Sequence, residues 1–270
     1  MESKEFGLLF VQKMLDLEHL HYGLHRKGEK LNFDNFKDTQ QKYSNFLISH
    51  IEKAIKKNKK ASILDVGCGF GSNLKILKNK KYNVQGLVPS KAMAEHARKV
   101  SGAKVYCDMF ENFDTKNKYD LVFFSESYQY INIDESFKIL EKILKKDGKI
   151  VICDFFVRDN SKGLSKIGGG HKMGLFYEKL KNTNYEIHTE IDITENIISN
   201  IDFMNEVIND RVISSAKLLD EYMTTKQPFC YKIFKFAFKN RINKIAYKSD
   251  KARNSKNFGE DKVYKLIVLK

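Results

Sequence analysis

The sequence is poor in the residues that mark fibrous, linker-rich and disulfide-stapled proteins. Its 270 residues include two prolines, 15 glycines and four cysteines. So few prolines and glycines exclude collagen-like and linker-rich architectures. The cysteines are widely scattered and have no C-x-x-C spacing; they are Cys68, Cys107, Cys153 and Cys230. We therefore expect free thiols in a reducing cytoplasm, and no zinc site.

Long hydrophobic runs are also missing. No window reaches the roughly 18 uninterrupted apolar residues that would cross a bilayer. The opening stretch, MESKEFGLLFVQKML, has no basic region followed by a cleavable apolar segment, so we do not expect secretion by a signal peptide. Hydrophobic residues nevertheless make up 42% of the chain and aromatic residues 12%. This is enough to build a core, so the length fits one large domain, or one domain with a cap.

The charge is strongly positive, with 48 Lys and Arg against 34 Asp and Glu. A basic surface attracts polyanions, which leaves a nucleic acid or an anionic membrane open as a partner. Much of the lysine comes with much asparagine and isoleucine, which favours a generally lysine-rich surface. Residues 226–256 hold ten Lys and Arg and a single acid, Asp250. An amphipathic basic helix there would suit a membrane surface or an acidic carrier protein; the simpler alternative is a solvated helix packed on the domain.

The order of apolar patterns indicates an α/β fold. Amphipathic helices are predicted at about residues 3–20 and 38–57, and short apolar runs then alternate with helical stretches. Strand–helix alternation at this spacing implies a parallel sheet covered by helices. The predicted strands are 61–66, 83–88, 104–107, 119–125, 149–155, 185–193 and 262–269. The predicted helices between them are 72–80, 90–101, 134–145 and 175–183.

This order divides the chain into four parts. Residues 1–57 are predicted to form a helical cover, and residues 58–194 the α/β core. Residues 195–250 are predicted to be a helical lid inserted before the last strand, which lies in residues 251–270 and returns to the core sheet.

The most informative stretch is ILDVGCGFGSN, Ile63 to Asn73. An apolar strand ends near Asp65, and Gly67, Gly69 and Gly71 precede a helix. Glycines allow a tight turn and close approach of the backbone to a ligand, and a helix N-terminus offers unpaired N–H donors. A Walker loop is excluded because no Gly-Lys-Ser/Thr follows, and a G-x-G-x-x-G dinucleotide motif is excluded by the spacing of the glycines. A carboxylate at position 65 would repel pyrophosphate but suit an amino or sulfonium group.

These residues resemble motif I of the class I S-adenosylmethionine (SAM)-dependent methyltransferases, and the likeness covers about residues 40–155. The LHYGLH stretch (Leu20–His25) and the fourth and fifth strands are similar to those of small-molecule enzymes related to ubiquinone, sterol and natural-product methyltransferases. The resemblance implies a Rossmann-like, seven-stranded, mostly parallel sheet with SAM as the cofactor. The residues it places around SAM are Tyr22, Asp65, Gly67, Gly69, Gly71, Asn73, Ser90, Asp108, Met109 and Ser125.

Within that set the roles differ. Asp65 and the glycines would cradle the methionine half of SAM, and Asp108 would accept a hydrogen bond from the adenine amino group while Met109 packs on the ring. A cap or turn role for Asp108, and core packing for Tyr22, remain open. The acid that often binds the ribose is missing, because Leu87–Pro89 occupy its place. Ser90 or backbone groups would hold the ribose instead.

Candidate bases for the chemistry are Glu126, after the fourth strand, and His171, in the glycine-rich IGGGH loop; Asp154, Tyr128 and Tyr130 are further options. The acceptor pocket is predicted from aromatic and Met residues that core packing explains equally well. These are Phe176, Tyr177, Phe203, Met204, Tyr222 and Met223.

Nucleic-acid methyltransferases carry features that this chain lacks. The fourth strand continues as SESYQY rather than a D/N-P-P-Y/F motif, and Cys153 has no adjacent proline. We therefore expect methylation of a small, apolar or aromatic metabolite, most simply at oxygen, without a metal. The alternatives are an RNA- or protein-directed methyltransferase and a non-catalytic SAM-binding protein.

Overall fold

The computed structural model of the chain describes residues 17–19, 21–26, 29, 31–207, 214–229, 231–232 and 254–270. The helix predicted at 3–20 and most of the basic stretch 226–256 lie outside these residues. Among the described residues, no helix is long and apolar enough to span a membrane.

Eight α-helices and seven strands are described. The helices are α1 (Phe33–Ala54), α2 (Ser72–Asn79), α3 (Lys91–Ser101), α4 (Ile133–Ile143), α5 (Met173–Leu180), α6 (Thr194–Glu206), α7 (Ser214–Lys226) and α8 (Ser255–Asp261). The strands are β1 (Ser62–Val66), β2 (Asn83–Leu87), β3 (Lys104–Tyr106), β4 (Tyr119–Ser125), β5 (Leu144–Val157), β6 (Ile187–Asp192) and β7 (Lys262–Leu269).

The seven strands form one sheet in the order β3-β2-β1-β4-β5-β7-β6. Strands β1 to β5 pair in parallel, and β7 runs antiparallel to both β5 and β6. The strand order reverses at β1, which lies between β2 and β4. In an open α/β sheet, ligands bind beyond the carboxyl ends of the strands at such a switch point.

Both faces of the sheet are buried at its centre, which is why β1, β4 and β7 are largely apolar. In β4, Leu121 and Phe123 point into one hydrophobic cluster, and Val122 and Phe124 point into another. The first cluster lies under α1, α2, α3 and α6, and the second under α4 and α5. The prediction of a parallel, helix-covered sheet is confirmed, with β7 as its antiparallel strand.

Helix α1 begins about five residues earlier than predicted. Asn32 is its N-cap and accepts hydrogen bonds from Asp34 N and Asn35 N, while the Asn35 side chain accepts one from Asn32 N. This reciprocal pair satisfies the first backbone donors of the helix. The early start matters because α1 forms one wall of the site at the carboxyl edge of the sheet.

Part of the predicted lid belongs to the main core. Ile197 and Ile201 of α6 are buried in the same cluster as Ile63 and Tyr264 of the sheet. By contrast, α7 exposes Leu218 and other apolar side chains. Residues 208–213 and 233–253 lie outside the described chain, so the boundaries of a lid stay a prediction.

Candidate active site

The turn after β1 bends the chain sharply. Gly67, Gly69 and Gly71 have φ angles of 77°, 53° and 87°, which L side chains rarely adopt. The backbone N–H groups of Gly67 and Cys68 both donate to the carbonyl of Leu87, at 2.8 and 3.1 Å. The turn is therefore fixed against the end of β2 and leads directly into α2.

The three glycines differ in what surrounds them. A Cβ on Gly67 would come within 2.3 Å of Ser127 Cβ, and one on Gly71 within 2.8 Å of Ala97. A Cβ on Gly69 would meet nothing within 4 Å. Gly67 and Gly71 are therefore required by the packing of the protein itself, whereas the backbone at Gly69 is open to a ligand.

Asp65 lies at the end of β1 with 1% of its surface exposed. Its Oδ2 atom has no hydrogen-bond partner, and burial raises the pKa of the carboxyl well above its ordinary value. Two other buried side-chain atoms of the described residues share this lack of a partner, His19 Nε2 and Gln129 Oε1. Buried polar atoms are normally satisfied, so the unpartnered oxygen of Asp65 beside the glycine turn marks a place for a polar ligand.

Glu126 follows β4 in a left-handed backbone conformation, with φ of 55°. Its Oε1 accepts hydrogen bonds from Tyr22 N at 3.0 Å and from Tyr264 Oη at 2.8 Å. Burial, and then the nearby charge of Asp154, raise the pKa of Glu126 to about 8. Strained backbone and a shifted pKa occur together at functional sites more often than elsewhere. The structure thus brings together Tyr22 and Glu126, two residues that the sequence singled out separately.

A chain of hydroxyl groups runs from Glu126 to the end of β4. Tyr264 Oη lies 2.9 Å from Tyr43 Oη, which in turn lies 3.3 Å from Ser125 Oγ. Both tyrosine rings are fully buried. Tyr43 lies within the helix predicted at 38–57 and Tyr264 within the strand predicted at 262–269, and the sequence indicates no further role for either residue. Their hydroxyl groups gave no signal, because a buried tyrosine needs a partner that the sequence does not reveal.

A hydrogen bond from the imidazole ring holds the His171 side chain in place. Nε2 lies 3.1 Å from the carbonyl oxygen of Tyr128, so it must carry the proton and donate. In the neutral ring, Nδ1 then keeps a lone pair. Tyr128, whose carbonyl fixes the ring, follows Glu126 by two residues along the chain.

The loop that carries His171 is anchored to the start of β7. Asp261 accepts hydrogen bonds from the backbone N–H of Lys162 and Ser165 and from Ser161 Oγ, at 2.6–2.9 Å. Lys262 Nζ donates to the carbonyl of Gly169 at 2.7 Å. The IGGGH loop is therefore a pinned element rather than a freely moving one.

A second buried acid lies beside this loop. Asp154 accepts hydrogen bonds from Gln129 N at 3.1 Å and Gln129 Nε2 at 3.2 Å. Desolvation raises its pKa to about 7, although these hydrogen bonds oppose the shift. Because both the backbone N–H and the side-chain amide of Gln129 donate to this carboxyl, Asp154 fixes the position of the segment after β4.

The remaining cofactor candidates lie along the same edge in different environments. Asn73 is buried in the first turn of α2, within 3.2 Å of Ser44 Oγ. Ser90 Oγ accepts from Met93 N and caps α3, so its side chain has a structural role. Asp108 and Met109 are exposed after β3, and Asp108 Oδ1 accepts from Met109 N at 2.8 Å.

The predicted acceptor-pocket residues are not gathered in one place. Phe176 and Phe203 are buried in two separate hydrophobic clusters. Tyr222 on α7 is 60% exposed. Among the described residues, no group of three or more His, Cys, Asp or Glu side chains could hold a metal ion.

Comparison with known proteins gives this geometry a family. Residues 64–152, from β1 through most of β5, match the family model described as "Methyltransferase domain". Residues 64–152 form a SAM-dependent methyltransferase domain of class I. The matched region contains the glycine turn, Asp108 and Glu126, and it leaves out the N-terminal segment and β7.

The curated relatives of this methyltransferase domain are distant. A malonyl-[acyl-carrier protein] O-methyltransferase from Acetivibrio thermocellus is 27% identical over 138 residues, 49% of this chain and 48% of the relative. One from Ilyobacter polytropus is 30% identical over 138 residues, 48% of this chain and 49% of the relative. The chain thus spans about half the length of the curated relatives it matches.

Solved structures extend the likeness in fold to nearly the whole chain. A putative sarcosine dimethylglycine methyltransferase from Galdieria sulphuraria has a TM-score of 0.71 at 13% identity, covering 97% of this chain and 96% of that one. Geranyl diphosphate C-methyltransferase from Streptomyces coelicolor A3(2) has a TM-score of 0.68 at 15% identity, covering 97% and 91%. At such identities the likeness concerns the fold, which the methyltransferase domain shares with them.

Proposed function

We propose that this protein transfers the methyl group of SAM to a small, apolar or aromatic metabolite, with oxygen as the favoured acceptor atom. The observation that supports this most is Asp65. Its buried carboxylate oxygen lacks a partner beside an open glycine, at the switch point of a methyltransferase sheet. A ligand with a hydrogen-bond-donating cationic group satisfies that oxygen, and the α-ammonium of SAM is such a group.

The residues present fit this cofactor. Asp65, Gly67 and Gly69 would hold its methionine half, with Gly71, Asn73, Tyr22 and Ser125 around it. Asp108 and Met109, exposed after β3, would receive the adenine. Because the Ser90 side chain caps α3, only its backbone would be available near the ribose. When bound, SAM supplies an activated methyl group on a sulfonium leaving group, so the protein mainly aligns the acceptor and excludes water.

Proton removal from an acceptor hydroxyl falls to Glu126 or His171. With a pKa of about 8, Glu126 is mostly protonated at neutral pH and becomes a base as the pH rises. His171 donates from Nε2 to Tyr128, which leaves Nδ1 as the proton acceptor. Glu126 is the better base above pH 8.

The relatives favour an oxygen acceptor, since three of them are named malonyl-[acyl-carrier protein] O-methyltransferases. A carrier-bound substrate would also give a role to the basic stretch 226–256, most of which lies outside the described residues. Cys68, Cys107 and Cys153 are free thiols in the structure, which supports the cytoplasm as the compartment.

The cofactor assignment is tested by calorimetry with SAM and its product S-adenosylhomocysteine. Asp65→Asn is expected to weaken binding roughly 10- to 100-fold, because a charged hydrogen bond is lost. The same variant should unfold at a higher temperature without ligand, since burying this carboxyl, whose pKa burial raises well above its ordinary value, costs stability that a neutral amide does not cost. Asp120→Asn is the control, because Asp120 binds Ser62 and Lys145 at the opposite edge of the sheet. Unchanged affinity in Asp65→Asn would remove the main support for this assignment.

The acceptor class is tested with methyl-labelled SAM and three separate fractions: small-molecule extract, lipid extract and RNA. Label in the small-molecule or lipid fraction supports the proposal. Label only in RNA would replace it with an RNA methyltransferase. Tight SAM binding with no label in any fraction would favour the non-catalytic alternative.

A further inference from the structure

The N-terminal segment, residues 17–19 and 21–26, contacts the helix that follows the glycine turn. The carbonyl of Glu18 accepts a hydrogen bond from Ser72 Oγ, in the first turn of α2. Gln40 Nε2 of α1 donates to the carbonyl of His19 at 3.2 Å. His19 is only 4% exposed, and it therefore lies buried between α1 and the start of α2. Its Nε2 atom has no hydrogen-bond partner among the residues that the structure describes.

The protonation of this ring follows from its neighbours, which meet at Ser44. Ser44 Oγ lies 3.0 Å from His21 Nε2, 3.3 Å from His19 Nδ1 and 3.2 Å from Asn73 Oδ1, to which it donates as the amide is oriented in the structure. A hydroxyl group donates one proton and accepts at two lone pairs. Only one of the three neighbours can therefore receive the proton, and the other two must donate.

His21 decides which neighbour receives it. His21 Nδ1 lies 2.9 Å from the carbonyl oxygen of Tyr22, so Nδ1 must carry a proton. If Ser44 donated to Asn73, His21 would have to donate from both nitrogens and be a cation. Burial lowers the pKa of His21 to about 3, so the ring is neutral at physiological pH. The hydroxyl proton of Ser44 therefore goes to His21 Nε2.

Two donors are then required at Ser44 Oγ. Asn73 supplies one when its side-chain amide is turned over, so that Nδ2 takes the place of Oδ1 beside Ser44; the network decides which way an amide is oriented. His19 supplies the other from Nδ1. Burial lowers the pKa of His19 too, and Glu18 and Gln41, which favour the charged form, offset this only in part. A neutral His19 with its proton on Nδ1 has a lone pair on Nε2, and that lone pair is the unpartnered one.

We propose that His19 Nε2 accepts a hydrogen bond from the α-ammonium group of the bound methyl donor. This assignment rests on the proposed function. It makes His19, which lies outside the matched methyltransferase domain, a residue that recognises the amino acid end of the cofactor. Asp65 and His19 then provide two acceptors for the three N–H donors of one ammonium group.

The position of the His19 imidazole favours contact with the α-ammonium group over contact with the ribose. His19 reaches Asn73 through Ser44, and the adjacent Glu18 contacts Ser72, so the ring lies at the start of α2. The ribose would lie near the end of β2, where Leu87 and Ser90 are found. A lone pair also rejects a carboxylate, which has no proton to donate at neutral pH.

Binding of two ligands tests the assignment. S-adenosylhomocysteine carries the α-ammonium, and its desamino analogue has hydrogen in that place. The His19→Asn variant retains an N–H for Ser44 but has no acceptor at the Nε2 position. We expect it to lose at least about tenfold in affinity for S-adenosylhomocysteine and little for the desamino analogue. His25→Asn is the matched control: His25 lies in the same segment, is equally buried, and both of its ring nitrogens have partners.

The ring nitrogens of the unmodified protein give a second readout by ¹⁵N NMR. We expect His19 to be protonated at Nδ1 and unprotonated at Nε2. The Nε2 resonance should shift as it becomes a hydrogen-bond acceptor when S-adenosylhomocysteine is added, and much less with the desamino analogue.

The possible outcomes separate the two proposals. Equal loss of affinity for both ligands in His19→Asn, or a proton on Nε2 before and after binding, would overturn the role of His19 and leave the proposed function intact. A wild-type protein that binds neither SAM nor S-adenosylhomocysteine would overturn both.

Discussion

Replacing Glu126 with glutamine is expected to remove about one proton from the pH dependence of unfolding. Glutamine has nearly the same shape and its amide oxygen can still accept from Tyr22 N and Tyr264 Oη. What it loses is the carboxyl group, whose pKa rises from 4.5 to about 8 in the folded protein. Between these two values the folded chain holds a proton that the unfolded chain releases.

The sign and size of the effect follow from proton linkage. Where the folded state binds more protons, the free energy of unfolding falls as the pH rises. One proton corresponds to about 1.4 kcal/mol per pH unit, so Glu126 should cost roughly 3 kcal/mol of stability between pH 4.5 and pH 7. The stability that the folded chain gains by binding this proton is fully present below pH 4.5 and is lost as the pH rises to about 8. Asp154, with a pKa of about 7, adds a similar dependence that the Glu126→Gln variant keeps.

Urea denaturation without ligand, at half-unit steps from pH 5 to pH 8, measures this directly. The curve of Glu126→Gln should be flatter by about one proton, and the variant should exceed the wild type in stability near pH 7.5. Glu178→Gln, an exposed acid on α5, is the control and should not change the slope. Two parallel curves for wild type and Glu126→Gln would refute the claim that burial keeps Glu126 protonated.

Two further substitutions test the turn and the loop of the site. Gly69→Ala and Gly102→Ala both place a side chain at a left-handed φ with open space around it, and each should lose about 1 kcal/mol in stability. Only Gly69→Ala should also weaken the binding of S-adenosylhomocysteine, measured by calorimetry. Equal affinity of the two variants would contradict a ligand at Gly69. Asp261→Ala should speed amide hydrogen exchange in residues 162–165, because it removes their acceptor. Asp159→Ala, which frees only Gly174 N, should not affect those amides, and unchanged exchange in Asp261→Ala would show that the loop is held by other contacts.

The positions of the strands along the chain and the glycine turn could be predicted because both depend on local sequence patterns. Alternating apolar and helical stretches gave all seven strands to within a few residues at most ends. Asp65 and the three glycines lie close together in the sequence. Their arrangement in space therefore follows from the local succession of strand, turn and helix. Helix α1 starts at Phe33 because the Asn32–Asn35 cap satisfies its first donors, and that signal is present in the sequence ahead of the apolar pattern that begins near residue 38.

The contacts around Glu126 could not be predicted in the same way. Tyr22, Tyr43 and Tyr264 reach Glu126 or its hydroxyl chain from 82 to 138 residues away along the sequence. Nothing in the residues near Glu126 indicates these partners. The same holds for His19, whose protonation depends on Ser44 of a different helix.

By itself, the sequence determined that this chain folds as a helix-covered parallel sheet with a ligand turn after its first strand. Short-range periodicity and glycine geometry suffice for that. Only the tertiary structure decided which acids are buried without partners, which tautomers the histidines hold, and which hydroxyl groups contact Glu126. Those properties depend on water being excluded by side chains from distant segments, and the packing that excludes it exists only in the folded chain.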